Sequence, residues 1–376
     1  MEKMLIITNF SFSEISGGAT ALFLRRAETL MEEKGIVTYC VTSTNAFDDD
    51  FSYFHSKKIT KKGEIEGTFL DLRPEYVLFF GSISFKYARK IRKIGEKNHI
   101  NCEYLIDIQG CPEEGTDYSR SLLARAKLIV KKALTKQISR WVDGAFVASK
   151  NLIDYAKKYY FVSRKRNPKF YLCRCGMLSL PDFGSIKSNR VEFREENFIP
   201  QDSIVFCYAG YTEAWQRFWD IVGLFKKYDE TVRNAYFAFF CPATEKEKND
   251  IMANFPKGNC IVKLLKRETF KIGLDACDVG VLLRDYNTTN AVAFPNKFSD
   301  YLSSGLLIAI NNALPEQVTL LKDYGLPFID SEKMMGVGEV KVLEDVLTNK
   351  DAYLAKCKKL CREELLYSFQ VKKLDL

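Results

Sequence analysis

Histidine is almost missing from this chain: His55 and His99 are the only two in 376 residues. Cysteine is present but unordered. The eleven cysteines are an odd number, scattered, with no Cys-x-x-Cys pair; Cys173-x-Cys175 fits a strand and Cys357-x3-Cys361 a helix. Zinc needs four His, Cys or acid ligands at short spacings, so a zinc site is not expected, and reduced cytosolic thiols are. No apolar run approaches the ~18 residues that cross a bilayer. The start, MEKMLIITNF, has one Lys and no small-residue cleavage site, so a first β-strand is expected there rather than a signal peptide. A G-x-G-x-x-G loop is absent, which removes the usual pointer to a dinucleotide. There is no low-complexity tract and no recognisable nucleic-acid motif, so nucleic acid is not an expected partner.

What is present describes a globular α/β protein. Apolar content of 47% with 28% charge is ordinary for that class, and the length suits two domains. Short apolar runs alternate with stretches of helical period. In the first half the runs are Met4–Thr8, Ile36–Thr42, Tyr76–Phe80, Tyr104–Ile108, Gly144–Ala148 and Phe170–Arg174. In the second they are Ile204–Tyr208, Tyr236–Phe240, Cys260–Leu265, Val279–Leu283, Leu306–Ile310 and Leu326–Ile329. Continuous apolar strands between helices imply parallel sheets covered on both faces. Two doubly wound domains are therefore expected, residues 1–180 and 203–350, with ligands at the carboxyl ends of the strands. Residues 181–202, poor in apolar residues, read as a linker, and 351–376 as a C-terminal helix. Charge is uneven. Residues 1–180 hold 30 Lys and Arg against 20 Asp and Glu, so this half carries the whole positive excess. An anionic membrane surface is one reading of that excess and a plain solvated face the other.

The most informative stretch is Asn287 to Asn311. A polar loop follows a buried-type strand; Phe294-Pro295 then introduces a helix that Gly305 ends, and a second apolar strand begins at once. A helix N-terminus with Lys297 beside it is an anion site, and phosphate is the usual anion. Asp300 lies three residues further along a neighbouring part of the face. An ordinary βα unit with no ligand has the same local pattern.

The run Phe294-Pro295-Asn296-Lys297-Phe298-Ser299-Asp300-Tyr301-Leu302, continuing to Gly305, resembles the donor-sugar motif of family 4 glycosyltransferases. Those are retaining enzymes of the GT-B fold, with two Rossmann-like domains facing a central cleft. Asp300 stands where the family places the second Glu of its Glu-x7-Glu motif. Val292 occupies the place of the first Glu, which points to the divergent branch that builds cell-surface and capsular polysaccharide. Other segments are similar to the same family. Gly17-Gly18 after the first strand matches a loop near the donor diphosphate. Asp107, followed by Gln109-Gly110 and Pro112-Glu113-Glu114, matches an acidic loop whose Asp107 or Glu114 would bind an acceptor hydroxyl. Trp141 to Ser149 matches a strand that marks the fold. Ile204 to Gly210, then Trp215-Gln216-Arg217, matches the entry to the nucleotide domain.

The resemblance implies a metal-independent transfer from a nucleoside-diphosphate sugar to a glycan or lipid-linked oligosaccharide, with no cofactor. Arg217 and Lys297 would hold the diphosphate, and Asp107 would act on the acceptor side. Gly17, Gly18, Gly210, Trp215, Lys266, Asn290, Ala293, Phe294, Asn296 and Asp300 would form the donor site, with Asp300 on a hydroxyl and Ala293 and Phe294 offering backbone amides. The last helix of such proteins often crosses back onto the first domain. A nucleotide-sugar epimerase and a non-catalytic assembly protein of the same fold stay open. A two-domain solute-binding protein is argued against by the missing signal sequence.

Overall fold

The computed structural model describes residues 1–9, 11, 19–46, 51–61, 63–81, 85–119, 121–162, 167–212, 214–332 and 336–376. It divides into two compact units. One is Met1–Leu178 joined by Leu365–Leu376, and the other is Ser179–Glu364.

The first unit is built on seven parallel strands: β1 (Glu2–Thr8), β2 (Ile36–Thr42), β3 (Phe54–Lys58), β4 (Tyr76–Phe79), β5 (Glu103–Ile108), β6 (Gly144–Val147) and β7 (Lys169–Leu172). Their order is β3-β2-β1-β4-β5-β6-β7. Apolar buried runs mark these strands, Met4–Ile7 within β1 and the whole of β4 and β6, because helices cover both faces, as the sequence predicts. β3, FHSKK, lies at the edge and its second half is exposed, so it lacks the continuous apolar run that marks the others. The last residues complete this unit. Met177 N–H donates to Leu365 O (2.9 Å), Tyr367 N–H returns to Met177 O (2.9 Å), and the helix Tyr367–Lys372 packs on the helix Ala19–Lys34. Tyr367, Val371 and Leu374 enter the core with Met4, Ile6 and Leu30. The expected single helix 351–376 is thus two helices, Lys350–Leu360 and Tyr367–Lys372, joined by a wide turn at Cys361–Leu365 and belonging to different units.

The second unit has six parallel strands: β8 (Ile204–Ala209), β9 (Ala235–Phe240), β10 (Cys260–Val262), β11 (Val279–Leu282), β12 (Leu307–Ile310) and β13 (Phe328–Asp330). Their order is β10-β9-β8-β11-β12-β13, so the winding reverses between β8 and β11. The stretch expected as a linker holds the helix Ile186–Glu196. Its charged residues explain the weak apolar pattern, and they are also what anchors it. Arg194, fully buried, donates to Asp278 Oδ2 (3.0 Å) and to the carbonyls of Ala276 and Ser203 (2.9 Å each). Arg190 grips both Asp278 oxygens at 2.7 and 3.2 Å. Burial alone would raise the Asp278 pKa, but these two guanidinium groups hold it below the usual carboxylate range. Among the described residues no helix is long and apolar enough to cross a membrane.

Candidate functional site

In a doubly wound sheet, ligands bind outside the carboxyl ends of strands where the winding reverses. In the second unit that place lies between the ends of β8 and β11, followed by Gly210 and Arg284. The helix Asn296–Ser303 is fixed there by Phe298, Tyr301 and Leu302, which are buried at i, i+3 and i+4 spacing. Tyr301 lies against Gly280 of β11, where a Cβ would strike its ring, and its hydroxyl accepts from Ala209 N–H of β8 at 3.0 Å. Gly305, at φ 65°, ends the helix so that β12 can begin.

Lys297 is the centre of the site. It leaves the first turn of that helix and crosses Gly210, whose φ of 144° and missing side chain leave room for it; any Cβ there would collide with the lysine chain. Its ammonium donates to Gln216 Oε1 (2.8 Å) and Tyr208 Oη (3.0 Å), and lies 4.1 Å from the Tyr208 ring centroid. Those partners are neutral. Burial, reinforced by the nearby Arg284 guanidinium, pushes the Lys297 pKa well below its ordinary 10.5, with Asp300 opposing. A desolvated ammonium held on neutral oxygens beside a second cation, at a helix N-terminus, would be stabilised by an arriving anion.

Arg284 is the residue that sequence reasoning passed over. It is buried immediately after β11, donates to Leu283 O at 3.1 Å, and exchanges backbone hydrogen bonds with the Asn311 side chain beyond β12. The available signal was a base directly following an apolar strand.

Arg217 has a different setting. Gln216, its neighbour, reaches Lys297, whereas Arg217 turns to three carboxylates: Asp220 at 2.7 Å, Asp285 at 3.4 Å and Glu332 at 3.9 Å. Burial alone would lower its pKa, and these acids outweigh that and raise it. It also holds a left-handed backbone (φ 52°) at the start of the helix Phe218–Thr231, unusual for a residue with a side chain. Glu332 is in turn bonded by Tyr286 Oη (2.8 Å) and Asn311 (3.0 Å).

The other expected donor residues divide. Asp300 is half-buried and close enough to Lys297 to oppose the lowering of its pKa. Asn290 is buried: its amide N–H is capped by Asn287 Oδ1 (2.8 Å) and its side chain donates to Asp285 O (2.9 Å), so the polar loop is a short helix, Thr288–Val292. Ala293 N–H is already used, donating to Asn290 O at 3.2 Å, and Ala293 O accepts from Gln317. Phe294 is buried edge-on against Phe298. Asn296 and Lys266 are exposed, and Trp215 is 43% exposed in a short turn, so it is no core anchor. Gly17 and Gly18 lie outside the described residues.

In the first unit Asp107 is buried. Its side chain has no exposed surface, Arg26 pairs with one oxygen at 2.5 Å, and Gln109 donates to the other. Glu114 is exposed, and Glu113 is bonded by Lys132 and Tyr155. A hollow of about 610 Å³ by Asp229, Asn234 and Tyr236, and one of about 580 Å³ by Glu75, Glu103 and Tyr104, open at the amino ends of the two sheets. Strand direction points ligands to the opposite ends.

Two parallel Rossmann-like units in one chain define a fold class, and comparison with solved structures shows which. Sucrose-phosphate synthase from Thermosynechococcus elongatus superposes with a TM-score of 0.68 at 10% identity, covering 99% of this chain and 96% of that one. WaaG, a glycosyltransferase involved in lipopolysaccharide biosynthesis, gives 0.63 at 13% identity, covering 99% and 98%. Anabaena HepE, solved in complex with UDP-glucose, gives 0.61 at 9% identity, covering 99% and 98%. The chain has the GT-B glycosyltransferase fold. No protein-family model and no curated protein sequence matches it.

Proposed function

We propose that this chain is a glycosyltransferase that takes its sugar from a nucleoside-diphosphate donor. The observation that carries the reading is Lys297: a desolvated ammonium on neutral partners, beside Arg284, at the reversal point of a GT-B sheet. Breaking the bond between the sugar's anomeric carbon and the diphosphate leaves the electron pair on the phosphate oxygen. The anomeric carbon then bonds to an acceptor hydroxyl, whose proton passes to the freed phosphate oxygen. Lys297, Arg284 and the helix N-terminus oppose the charge that grows on the leaving diphosphate. Asp300, beside Lys297, is suited to a ribose or sugar hydroxyl. Arg217 belongs to the rim of the site, tied to its three acids.

Solved structures of this fold carry UDP and UDP-glucose, which makes a uridine donor the first to try. The motif Pro295 to Gly305 supports the finer reading: a retaining, metal-independent enzyme of the branch that assembles bacterial surface polysaccharide. Its acceptor is a glycan or a lipid-linked oligosaccharide at the inner membrane face, where the basic first unit is at home.

Thermal unfolding with UDP, GDP, ADP, CMP and their sugars, with metal chelated, tests the proposal. A ligand at a hundred times its Kd stabilises the native state by about 2.7 kcal/mol. One diphosphate should raise the Tm, and Lys297→Ala should abolish the rise and slow transfer on the order of a hundredfold. No rise with any nucleotide would make the chain a non-catalytic relative.

A further inference from the structure

The helix Leu122–Ile138 is inside out. An ordinary surface helix turns its apolar stripe to the core and its charges to water. Here Thr135 and Ile138 are the buried residues, while Leu122, Leu123, Ile129, Val130 and Leu134 are all more than half exposed, Leu122 by 80%. At 100° per residue these five fall on one outward sector, with Ala126, Ala133 and, in the last turn, the exposed Gln137 between them. Arg125 and Lys136, with Lys132 that is already paired to Glu113, border the sector on one side and Lys127 and Lys131 on the other; the helix itself contains no acid. Lys132 also lies 5.1 Å from the ring of Tyr159, which is 40% exposed and brings an aromatic to the border. Single exposed leucines are normal, but a run of them along three turns is not.

We infer that this helix docks on an anionic lipid surface, with its apolar sector in the headgroup–acyl boundary and its bases on lipid phosphates. The sign of the border decides between occupants. A protein partner is met by mixed charge, with Lys depleted from the contact. A nucleic acid would engage the bases but leave the aliphatic face in water, since base stacking uses aromatic platforms. A lipid interface accepts both parts, and aliphatic face with a Lys/Arg border is the composition of helices that lie in it. The first half of the chain, which contains this helix, also holds the whole positive excess. The inference deepens the acceptor side of the proposed function by naming the surface that would bring the enzyme to a lipid-linked acceptor.

The full chain should sediment with vesicles of phosphatidylcholine containing about a third phosphatidylglycerol, and poorly with phosphatidylcholine alone. Binding should weaken with added salt as the Debye length shortens. Ile129→Glu with Leu134→Glu should lower vesicle affinity at least about tenfold. Both sites face solvent, so the variant should keep its circular dichroism and its Tm. Lys127→Gln with Lys131→Gln should cost less and flatten the salt dependence. Absence of binding to anionic vesicles, or equal binding by the double Glu variant, overturns the inference. So does a dimeric wild type that the Glu variant turns monomeric, because a second copy would then cover the face. Vesicle binding without any nucleotide response would keep this inference and sink the transferase reading, and the reverse results would do the opposite.

Discussion

The two sheets share the same winding, outward from β1 in one unit and from β8 in the other, yet they treat charge at their strand ends in opposite ways. In the first unit the strand-end charge is closed: Asp107 after the apolar run of β5 is consumed by Arg26 and Gln109 and shows no surface. In the second, Lys297 beside β8 and β11 has hydrogen-bond acceptors that are uncharged, Gln216 Oε1 and Tyr208 Oη. A shared topology therefore fixes where a site can be, and what the neighbouring elements offer each charge decides whether it is one. A buried ion pair satisfies itself; a half-buried cation on neutral oxygens would be stabilised by an arriving anion.

The largest effect expected from breaking this contrast is in the closed pair. Asp107→Ala leaves the Arg26 guanidinium buried without its counter-charge and should lower folding stability by about 3–5 kcal/mol in urea titration. The nucleotide-induced stabilisation proposed for the second unit should persist under conditions where the variant is folded. A stable Asp107→Ala protein that has lost only transfer would instead return Asp107 to the acceptor site.

A smaller effect sharpens the difference between the two cations of the second unit. Arg217→Ala should weaken donor binding by about 1 kcal/mol or less by calorimetry, since its partly exposed ion pairs contribute little. A loss equal to that of Lys297→Ala would mean that Arg217 abandons its acids for the diphosphate.

The gentlest probe is pH. Lys297 has a lowered folded pKa, so between that value and its ordinary 10.5 the unfolded chain binds the proton and the folded chain does not. This residue's contribution to stability thus rises with pH through that window. Donor affinity should move the other way, falling as the ammonium is lost. The fall should flatten in Lys297→Arg, whose guanidinium stays charged. Parallel titrations of Kd in the two proteins check it.

Much of this architecture was legible because strands buried on both faces cannot hide: Tyr76–Phe79, Val279–Leu282 and their counterparts are unbroken apolar runs. β3 was not, because an edge strand with two exposed lysines carries no such run. The helix Ile186–Glu196 read as a linker for a related reason, since its anchor is the Arg194–Asp278 pair, 84 positions apart in the chain. At the site, local pattern was enough to place Lys297 at a helix start after Pro295, and to mark Gly210 as the end of a strand. It could not show that Lys297 rests on neutral oxygens while Arg217 lies among acids, nor that Asp107 pairs with Arg26. Sequence by itself determined the periodicities, and with them the two sheets and the strand ends where chemistry is possible. The tertiary structure alone decided which charges were answered, because the partners of Asp107, Arg217 and Lys297 come partly or wholly from elements far away in the chain, and a charge's role depends on what stands within a few ångströms of it.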